Sequence, residues 1–317
     1  MIWLLACTGD TEPMLGPSQR YSHVGCLDDS GGSLSIVGGS SQEGRRMDAW
    51  RFSIDQRTWE RLEDPPESLF RSTLVRFGDE ALVFGGTSGG GEENDRLWKW
   101  GLSDGSWTAM EGAPGGRYKA AAEVVGEDVW MLHGGRTDDS GEEQTLSDAW
   151  LHSPQSGIWD EVTPAEDPGP RTRHALAWDG EATLWLQGGI DDDNTRHEDV
   201  WSFDLDTRTW TGVPASGEGP GVRASHSMVF FDGDLIVWGG RGDDDTVWAF
   251  DTLDHSWRRL AEGGPAGRDA QVTDLHDGLL YIMGGDPSDD ETLPSFVNDV
   301  WVLDIADGTW EELWAIE

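Results

Sequence analysis

The sequence predicts an all-β protein, a six-bladed β-propeller in which each blade is a four-stranded antiparallel sheet. Three observations lead to this prediction. Glycine and tryptophan are both abundant, with 43 and 19 of the 317 residues. A pair of glycines follows an apolar run six times, at intervals of 45 to 54 residues. Two tryptophans nine residues apart follow each glycine pair, and a strand-rich repeat of about 50 residues is typical of propeller blades.

The repeat has fixed landmarks along the whole chain. The glycine pairs begin at Gly38, Gly85, Gly134, Gly188, Gly239 and Gly284. The tryptophan pairs are Trp50 and Trp59, Trp98 and Trp107, Trp150 and Trp159, Trp201 and Trp210, Trp248 and Trp257, and Trp301 and Trp310. An arginine precedes each glycine pair, at Arg20, Arg71, Arg117, Arg171, Arg223 and Arg268. Because one spacing recurs six times, chance is excluded, and the repeat fills the chain from Arg20 to Trp314.

Each repeat reads as four short strands. In the fifth, "RASHSMVFF", "LIVWGG", "VWAFD" and "SWRRL" are the strands, and "DGD" is a hairpin turn between the first two. The glycines end the second strand where backbones crowd, and the tryptophans fill the wedge between blades. The predicted propeller domain covers residues 20–317. Its blades are predicted at about 20–62, 71–110, 117–162, 171–213, 223–260 and 268–314.

This pattern of an arginine, an apolar run ending in Gly-Gly, and two tryptophans resembles the kelch repeat. Six copies resemble a six-bladed kelch propeller, and the resemblance covers nearly the whole chain. Tryptophan replaces the tyrosine that many kelch repeats carry on the third strand. The resemblance implies a fold more than a function, since kelch propellers include binding platforms, substrate adaptors and some enzymes.

One face of the propeller is the predicted ligand site. Because strands alternate in direction, the start of the first strand, the end of the second and the loop after it share one face. In kelch adaptors that bind acidic peptides, residues at equivalent offsets supply the pocket. The resemblance therefore implies a basic funnel inside an acidic rim, and the candidate ligand-binding residues are Arg136, Arg241, Arg173, Lys119, Tyr21 and Tyr118. The alternative is that these arginines pair with rim acids such as Asp138 and Asp243.

Other repeated or clustered residues favour structural roles. The regularity of the six repeat arginines indicates a hydrogen-bonding role in each blade. His23, His174 and His226 share one repeat position, which is more typical of packing than of metal ligation. The acidic loops, such as Asp191 to Asp193, favour a solvated rim over a calcium site, because no calcium-loop motif accompanies them. The sequence thus predicts no metal and no cofactor.

The first residues and the net charge bear on location and partners. Residues 1–19 resemble the remnant of a lipoprotein signal with a linker, because Leu4 to Cys7 resembles a lipobox with Cys7 as the lipidated residue. This implies a bacterial cell-envelope protein that contacts the membrane only through a lipid anchor. The net charge of −39 repels phosphate backbones and argues against nucleic-acid binding. A monomer is expected.

The sequence therefore predicts a non-catalytic binding scaffold that recognises a protein, a peptide or a small anionic ligand at the funnel face. An enzyme is the weaker hypothesis. The alternative retained is a carbohydrate-active envelope enzyme resembling the kelch-fold sialic-acid epimerase, which would use the same funnel. No motif for a catalytic triad, a phosphate loop or a dinucleotide site occurs.

Overall fold

The computed structural model contains six four-stranded antiparallel sheets, each built from consecutive strands of one repeat. It describes residues 16–111, 114–137, 143–164, 166–240, 244–288 and 295–315. These residues form strands, turns and loops, with no helix among them. The predicted all-β, six-bladed propeller is therefore confirmed.

The blades are numbered in chain order, and within each blade the strands run in chain order from the innermost to the outermost. The blade strands are β1 Val24–Leu27, β2 Ser33–Val37, β5 Ala49–Ser53 and β6 Thr58–Arg61 in blade 1; β7 Thr73–Phe77, β8 Glu80–Phe84, β9 Leu97–Gly101 and β10 Trp107–Met110 in blade 2; β11 Ala121–Val125, β12 Asp128–Leu132, β15 Ala149–Ser153 and β16 Ile158–Val162 in blade 3; β17 Ala175–Trp178, β18 Thr183–Gln187, β19 Val200–Asp204 and β20 Thr209–Val213 in blade 4; β21 His226–Phe231, β22 Asp234–Gly239, β23 Val247–Asp251 and β24 Ser256–Ala261 in blade 5; and β25 Val272–His276, β26 Leu279–Gly285, β27 Val297–Asp304 and β28 Thr309–Trp314 in blade 6. Two small hairpins lie between the second and third strands of blades 1 and 3: β3 Ser40–Ser41 with β4 Gly44–Arg45, and β13 Gly135–Thr137 with β14 Glu143–Thr145.

The hydrophobic core lies between neighbouring blades. One cluster joins Trp185 of blade 4 to Leu235 and Phe250 of blade 5, and similar clusters recur around the ring. The two repeat tryptophans sit on the third and fourth strands, as predicted: Trp50 is on β5, and Trp59 is on β6 opposite Phe52. Burial of such rings supplies the largest apolar areas in the molecule.

The ring closes between blades 6 and 1 without a shared strand. Asn298 donates from Nδ2 to the carbonyl of Pro17 at 2.7 Å, and the backbone N–H of Arg20 donates to Val297 at 3.1 Å. On the other side of the seam, Asp274 accepts the N–H of Leu27 at 2.8 Å. Hydrogen bonds to side chains and loops therefore complete the closure between the two ends of the propeller.

The inner strands are tied together by a closed ring of backbone hydrogen bonds, here called the throat ring. Its members each have positive φ, between 50° and 60°. Each N–H donates to the carbonyl of the equivalent residue in the preceding blade, at 2.8–3.4 Å. The six members are Ser22, Arg71, Lys119, Arg173, Ser225 and Ala270. This geometry is the same whether the side chain is small or charged, so the position is free to vary in chemistry.

Candidate functional site

Five of the six repeat arginines are buried, and each forms an ion pair with an aspartate. Arg20 is fully buried, donates to Asp48 at 2.6 and 2.8 Å, and also donates to the carbonyl of Gly38 at 3.0 Å. Burial would raise the pKa of Asp48, but hydrogen bonds from Arg20 and Trp50 outweigh it and hold the pKa below its usual value. Equivalent pairs are Arg117–Asp148, Arg171–Asp199, Arg223–Asp244 and Arg268–Asp299. The predicted hydrogen-bonding role is confirmed for these five arginines.

Blade 2 departs from this arrangement. The carbonyl of Leu69 accepts a hydrogen bond from the N–H of Gly39. In the same way, the carbonyl of the repeat arginine Arg117 in blade 3 accepts the N–H of Gly86 in blade 2. Leu69 therefore occupies the arginine position. Arg96, two residues before Trp98, stands where blades 1, 3, 4 and 6 have aspartate and blade 5 has Thr246. Arg96 pairs with Glu67 at 3.3 Å, and Trp98 donates to the same Glu67. The expectation that Arg71 is the repeat arginine of blade 2 is wrong, because Arg71 lies two residues further along.

Arg71 instead belongs to the throat ring, together with two predicted ligand residues, Lys119 and Arg173. Three successive blades thus carry a cationic side chain at one backbone position, while the other three carry Ser225, Ala270 and Ser22. All six residues line a funnel cavity of about 210 Å³. The cavity is therefore cationic on one side and small and neutral on the other.

Aromatic side chains border the cationic side. Tyr21, Phe70 and Tyr118 each precede a throat-ring residue, on blades 1, 2 and 3. Tyr21 stacks on Phe296 with ring centroids 4.4 Å apart and meets Phe70 edge-on at 5.3 Å. The rings form a continuous strip beside the funnel.

Arginines lie over this aromatic strip. The guanidinium of Arg45, from β4, lies 3.3 Å from the centroid of the Phe70 ring. The guanidinium of Arg71 lies 5.2 Å from Phe70 and 5.6 Å from Tyr118. Burial raises the pKa of Tyr118 to about 12, and the nearby Glu143 carboxylate adds to the rise. Tyr118 therefore stays a neutral phenol. Phe70, Tyr118 and Phe296 are buried, so these rings support the arginines, and Tyr21 is the partly exposed ring of the strip.

Arg136 does not share this position. The N–H of Gly134 donates to the carbonyl of Arg171, as the N–H of Gly39, the second glycine of its pair, donates to the carbonyl of Leu69. Gly134 is therefore the equivalent of a second glycine. His133, with φ of 53°, takes the place of the first. Blade 3 is therefore shifted by one residue, and Gly135 stands beside Tyr118 where Arg136 was expected. Arg136 is exposed on β13 and is not among the residues that line the funnel cavity. Arg136 therefore lies away from Arg173, which lines the funnel cavity.

Several predicted residues lie outside the described part of the chain. They are Arg241, the rim acids Asp138 and Asp243, and Cys7. Conversely, sequence reasoning missed Arg71, Arg45, Phe70 and Phe296 as members of the face. One signal was present: Arg71 precedes its glycine pair by 14 residues, whereas the other repeat arginines precede theirs by 16 to 18.

Three histidines follow throat-ring residues and line the funnel: His23, His174 and His226. Among the residues that the structure describes, neither ring nitrogen of His174 or His226 has a hydrogen-bond partner. Burial, with the nearby Arg223, lowers the pKa of His226 to about 3, so the ring is neutral near pH 7. Within the described ranges no three His, Cys, Asp or Glu side chains are grouped as a metal site. In the same ranges, no helix is long and apolar enough to cross a membrane.

Comparison with known proteins identifies relatives of the repeat. The family model described as the KLHDC2/KLHL20/DRC7 Kelch-repeats domain matches residues 4–182 and 139–316. The leucine-zipper-like transcriptional regulator 1 homolog of Drosophila melanogaster is 28% identical over 76% of this chain and 26% of its own length. An N-(sulfonatooxy)prop-2-enimidothioate sulfolyase of Thlaspi arvense is 28% identical over 54% of this chain and 49% of its own length. Kelch domain-containing protein 3 of Bos taurus is 31% identical over 45% of this chain and 41% of its own length. The chain therefore matches no more than half the length of these three relatives.

Proposed function

The chain belongs to the Kelch-repeat family, and from this premise we propose that it is a non-catalytic scaffold that binds a protein segment or a small ligand through a negatively charged group at the funnel face. The three cations of the throat ring are the observation that carries the proposal. Arg71, Lys119 and Arg173 occupy a position where Ser22, Ser225 and Ala270 serve the same backbone geometry. The fold does not need a charge there, which supports a role for the charges in recognition.

The surroundings of the throat ring fit an anionic group. Arginine presents a planar fork that can hold two carboxylate or phosphate oxygens. The protein as a whole carries a net charge of −39, so a cationic pocket concentrates attraction at one place on an otherwise repelling surface. Tyr21 is partly exposed and packs on the buried rings of Phe70 and Phe296, so it adds apolar contact area beside the charge. A peptide with an acidic residue next to an apolar or aromatic one satisfies both features.

An enzyme that uses the same funnel is the second candidate, resembling the kelch-fold sialic-acid epimerase. It is favoured by the unpartnered nitrogens of His174 and His226 in the cavity, and one relative is named as a sulfolyase. A neutral histidine whose pKa is lowered to about 3 is a poor proton donor near pH 7. The binding role is therefore preferred. Anomeric exchange of sialic acid, followed by NMR, tests the alternative, and turnover would establish an enzyme.

The proposed function is tested by calorimetric titration with an acidic peptide, a small dicarboxylate and sialic acid. The informative variants are Arg71→Ser and Arg173→Ser, because serine already occupies this position in blades 1 and 5 with the same φ. Each variant should weaken binding by about 1.5–3 kcal/mol, the usual value of a hydrogen bond to a charged group. Affinity should also fall as salt rises.

Arg61→Ser is the matched control, because it removes an arginine from outer strand β6 that pairs with Asp64. This variant should bind as the wild type does. If none of the anions binds, or if Arg61→Ser weakens binding as much as Arg173→Ser, the throat-ring cations are structural and the proposal fails.

The lipid anchor at Cys7 and the bacterial cell-envelope location are proposed on the lipobox resemblance of residues 4–7 alone. Expression in a bacterium with a signal sequence added upstream should give a membrane-associated product whose processing is sensitive to globomycin. Cys7→Ser should release the protein into the soluble fraction. A product that is soluble with Cys7 intact would exclude the anchor.

A further inference from the structure

A second cavity lies at the opposite end of the inner strands from the funnel. Its volume is about 580 Å³, within the range of small-molecule sites. Residues 74–77 of β7 and 122–124 of β11 line it, together with Gly78 and Gly126 of the hairpin turns that follow these strands. Val24 lines the funnel and the next residue, Gly25, lines this cavity. We call this cavity the lower mouth.

Two carboxylates face each other across the lower mouth from opposite blades. Glu123 comes from β11 in blade 3 and Asp274 from β25 in blade 6. Asp274 has a structural role, because it accepts the N–H groups of Leu27 and Leu275, each at 2.8 Å. Glu123 differs, since within the described part of the chain its one hydrogen bond is from the N–H of the next residue, Val124, at 3.1 Å.

Glu123 is the independent indication that the lower mouth takes a ligand. Its side chain is partly buried and lines the cavity. The nearest arginine on the neighbouring strand, Arg76, instead pairs with Asp29 at the rim. Among the described residues, no cationic side chain lies within ion-pair distance of Glu123. A partly buried carboxylate without a cation costs free energy to ionise, and a cationic ligand would reduce that cost.

The walls of the cavity define the kind of cation. Leu74, Val124 and Val229 are partly exposed apolar side chains that line the lower mouth. A calcium ion would need about six to eight oxygen ligands and a zinc ion at least three protein ligands, and no group of three acidic, histidine or cysteine side chains occurs in the described ranges. An ammonium group on an alkyl chain fits both features, with its charge at Glu123 and its methylenes against the hydrocarbon wall.

We propose that the lower mouth binds a primary alkylammonium group, with Glu123 as its charge partner. Two sources share this chemistry: a free amine, and the lysine side chain of a partner protein. The proposal does not depend on the anionic ligand of the funnel, which lies at the other end of the inner strands.

The test is calorimetric titration of the full chain with hexylamine, hexan-1-ol and a short peptide containing one lysine. Hexylamine should bind more tightly than hexan-1-ol, and Glu123→Gln should weaken hexylamine binding roughly tenfold or more, the loss expected for one charge-assisted contact. Binding of the peptide as well assigns a lysine of a partner, whereas binding of hexylamine without the peptide assigns a free amine. Equal binding of hexylamine and hexan-1-ol would overturn the proposal.

Glu127→Gln is the matched control. It removes the same charge from the same β11–β12 hairpin, at an exposed residue that does not line the cavity. This variant should bind hexylamine as the wild type does. An equal loss for both variants would show that the amine responds only to the net negative charge of the protein, and it would overturn the proposal.

The pH dependence gives a second readout. Burial raises the pKa of Glu123 to about 7, and the charge of Asp274 adds to the rise. The other titratable groups facing this cavity are Arg76 and the thiol of Cys26, whose pKa burial raises strongly. Hexylamine affinity should therefore increase from pH 5 to pH 8 as Glu123 ionises, while the amine remains protonated. An affinity that does not change over this interval would also overturn the proposal.

Discussion

The funnel and the lower mouth are built from the same six inner strands, yet they differ in charge and in what supports that charge. At the funnel, Arg71, Lys119 and Arg173 stand on a closed ring of backbone hydrogen bonds. At the lower mouth, Glu123 and Asp274 project from strands among apolar side chains. The comparison teaches that the repeat specifies the backbone at both ends, while residues outside the repeat pattern give each end its chemistry.

The two ends also depend on buried ionisable groups in opposite ways. Beneath the funnel face, each buried repeat arginine has an aspartate that neutralises it, as in Arg117 with Asp148. Glu123 has no such partner among the described residues. Removing one charge of an arginine–aspartate pair beneath the funnel should therefore destabilise the protein, whereas removing the charge of Glu123 should stabilise it.

The largest effect is expected from breaking a pair beneath the funnel. Asp148 accepts two hydrogen bonds from Arg117, both at 2.8 Å, and one from Trp150 at 2.7 Å. Asp148→Ala leaves a buried guanidinium without a counter-charge, which should lower the free energy of unfolding by about 3–5 kcal/mol. Urea denaturation measures the change. Asp64→Ala, which breaks the exposed pair with Arg61, should cost less than about 1 kcal/mol, and similar losses for the two variants would contradict this account.

The sequence was sufficient to predict the fold because the repeat is carried by residue types with few alternatives. Tryptophans at a spacing of nine and glycines at the end of the second strand define each blade, and all six blades were found. The candidate site was predicted less well. Lys119, Arg173, Tyr21 and Tyr118 do lie at the funnel face, but whether they bind a ligand stays a prediction.

The errors came from local shifts of register that residue identity concealed. In blade 2, an arginine two residues after Leu69 looked like the repeat arginine, while the true position is apolar. In blade 3, His133 adopts the positive φ of a first glycine, so the visible Gly-Gly pair is one residue late. The lower mouth was missed altogether, because Glu123 and Asp274 are about 150 residues apart in the sequence and meet only through the propeller topology.

The second prediction sharpens the comparison at the lower mouth. The pKa of Glu123 is about 7 in the native state and 4.5 as its ordinary value. Between these values the native state holds a proton that the unfolded chain has released, so this group lowers stability as pH rises. Glu123→Gln should therefore raise the free energy of unfolding by up to about 3 kcal/mol at pH 8 and change it little at pH 4. Glu127→Gln should show no such pH-dependent gain, and a Glu123→Gln protein no more stable than wild type at pH 8 would refute the prediction.

The third prediction concerns His226 at the funnel, which lowers stability as pH falls, whereas Glu123 lowers it as pH rises. The pKa of His226 is lowered from 6.5 to about 3, so below pH 6.5 the unfolded chain binds a proton that the native state excludes. This group therefore lowers stability as pH falls from 6.5 towards 3. Glutamine is the chosen replacement because blade 6 has Gln271 at the equivalent position. His226→Gln should reduce the loss of unfolding free energy between pH 7.5 and pH 5 by about 2 kcal/mol. Urea denaturation at both pH values tests this, and an unchanged difference would show that His226 does not contribute.

The smallest effect is expected at the aromatic strip, where one glycine makes room for a ring. A Cβ at Gly135 would lie 2.6 Å from two ring carbons of Tyr118, too close for a normal contact, so the ring must move. Its φ is not in the positive range that favours glycine, so Gly135→Ala acts through this contact and should cost about 1 kcal/mol of stability, at the low end for overpacking. Since Tyr118 lies 5.6 Å from the Arg71 guanidinium, the variant should also weaken binding of an acidic peptide at the funnel a fewfold while leaving hexylamine binding at the lower mouth unchanged. Gly89→Ala, where a Cβ meets open space, is the matched control. Calorimetry of both ligands with both variants distinguishes the two ends: if Gly135→Ala weakens amine and peptide binding equally, the change spreads through the propeller and the two mouths are not independent.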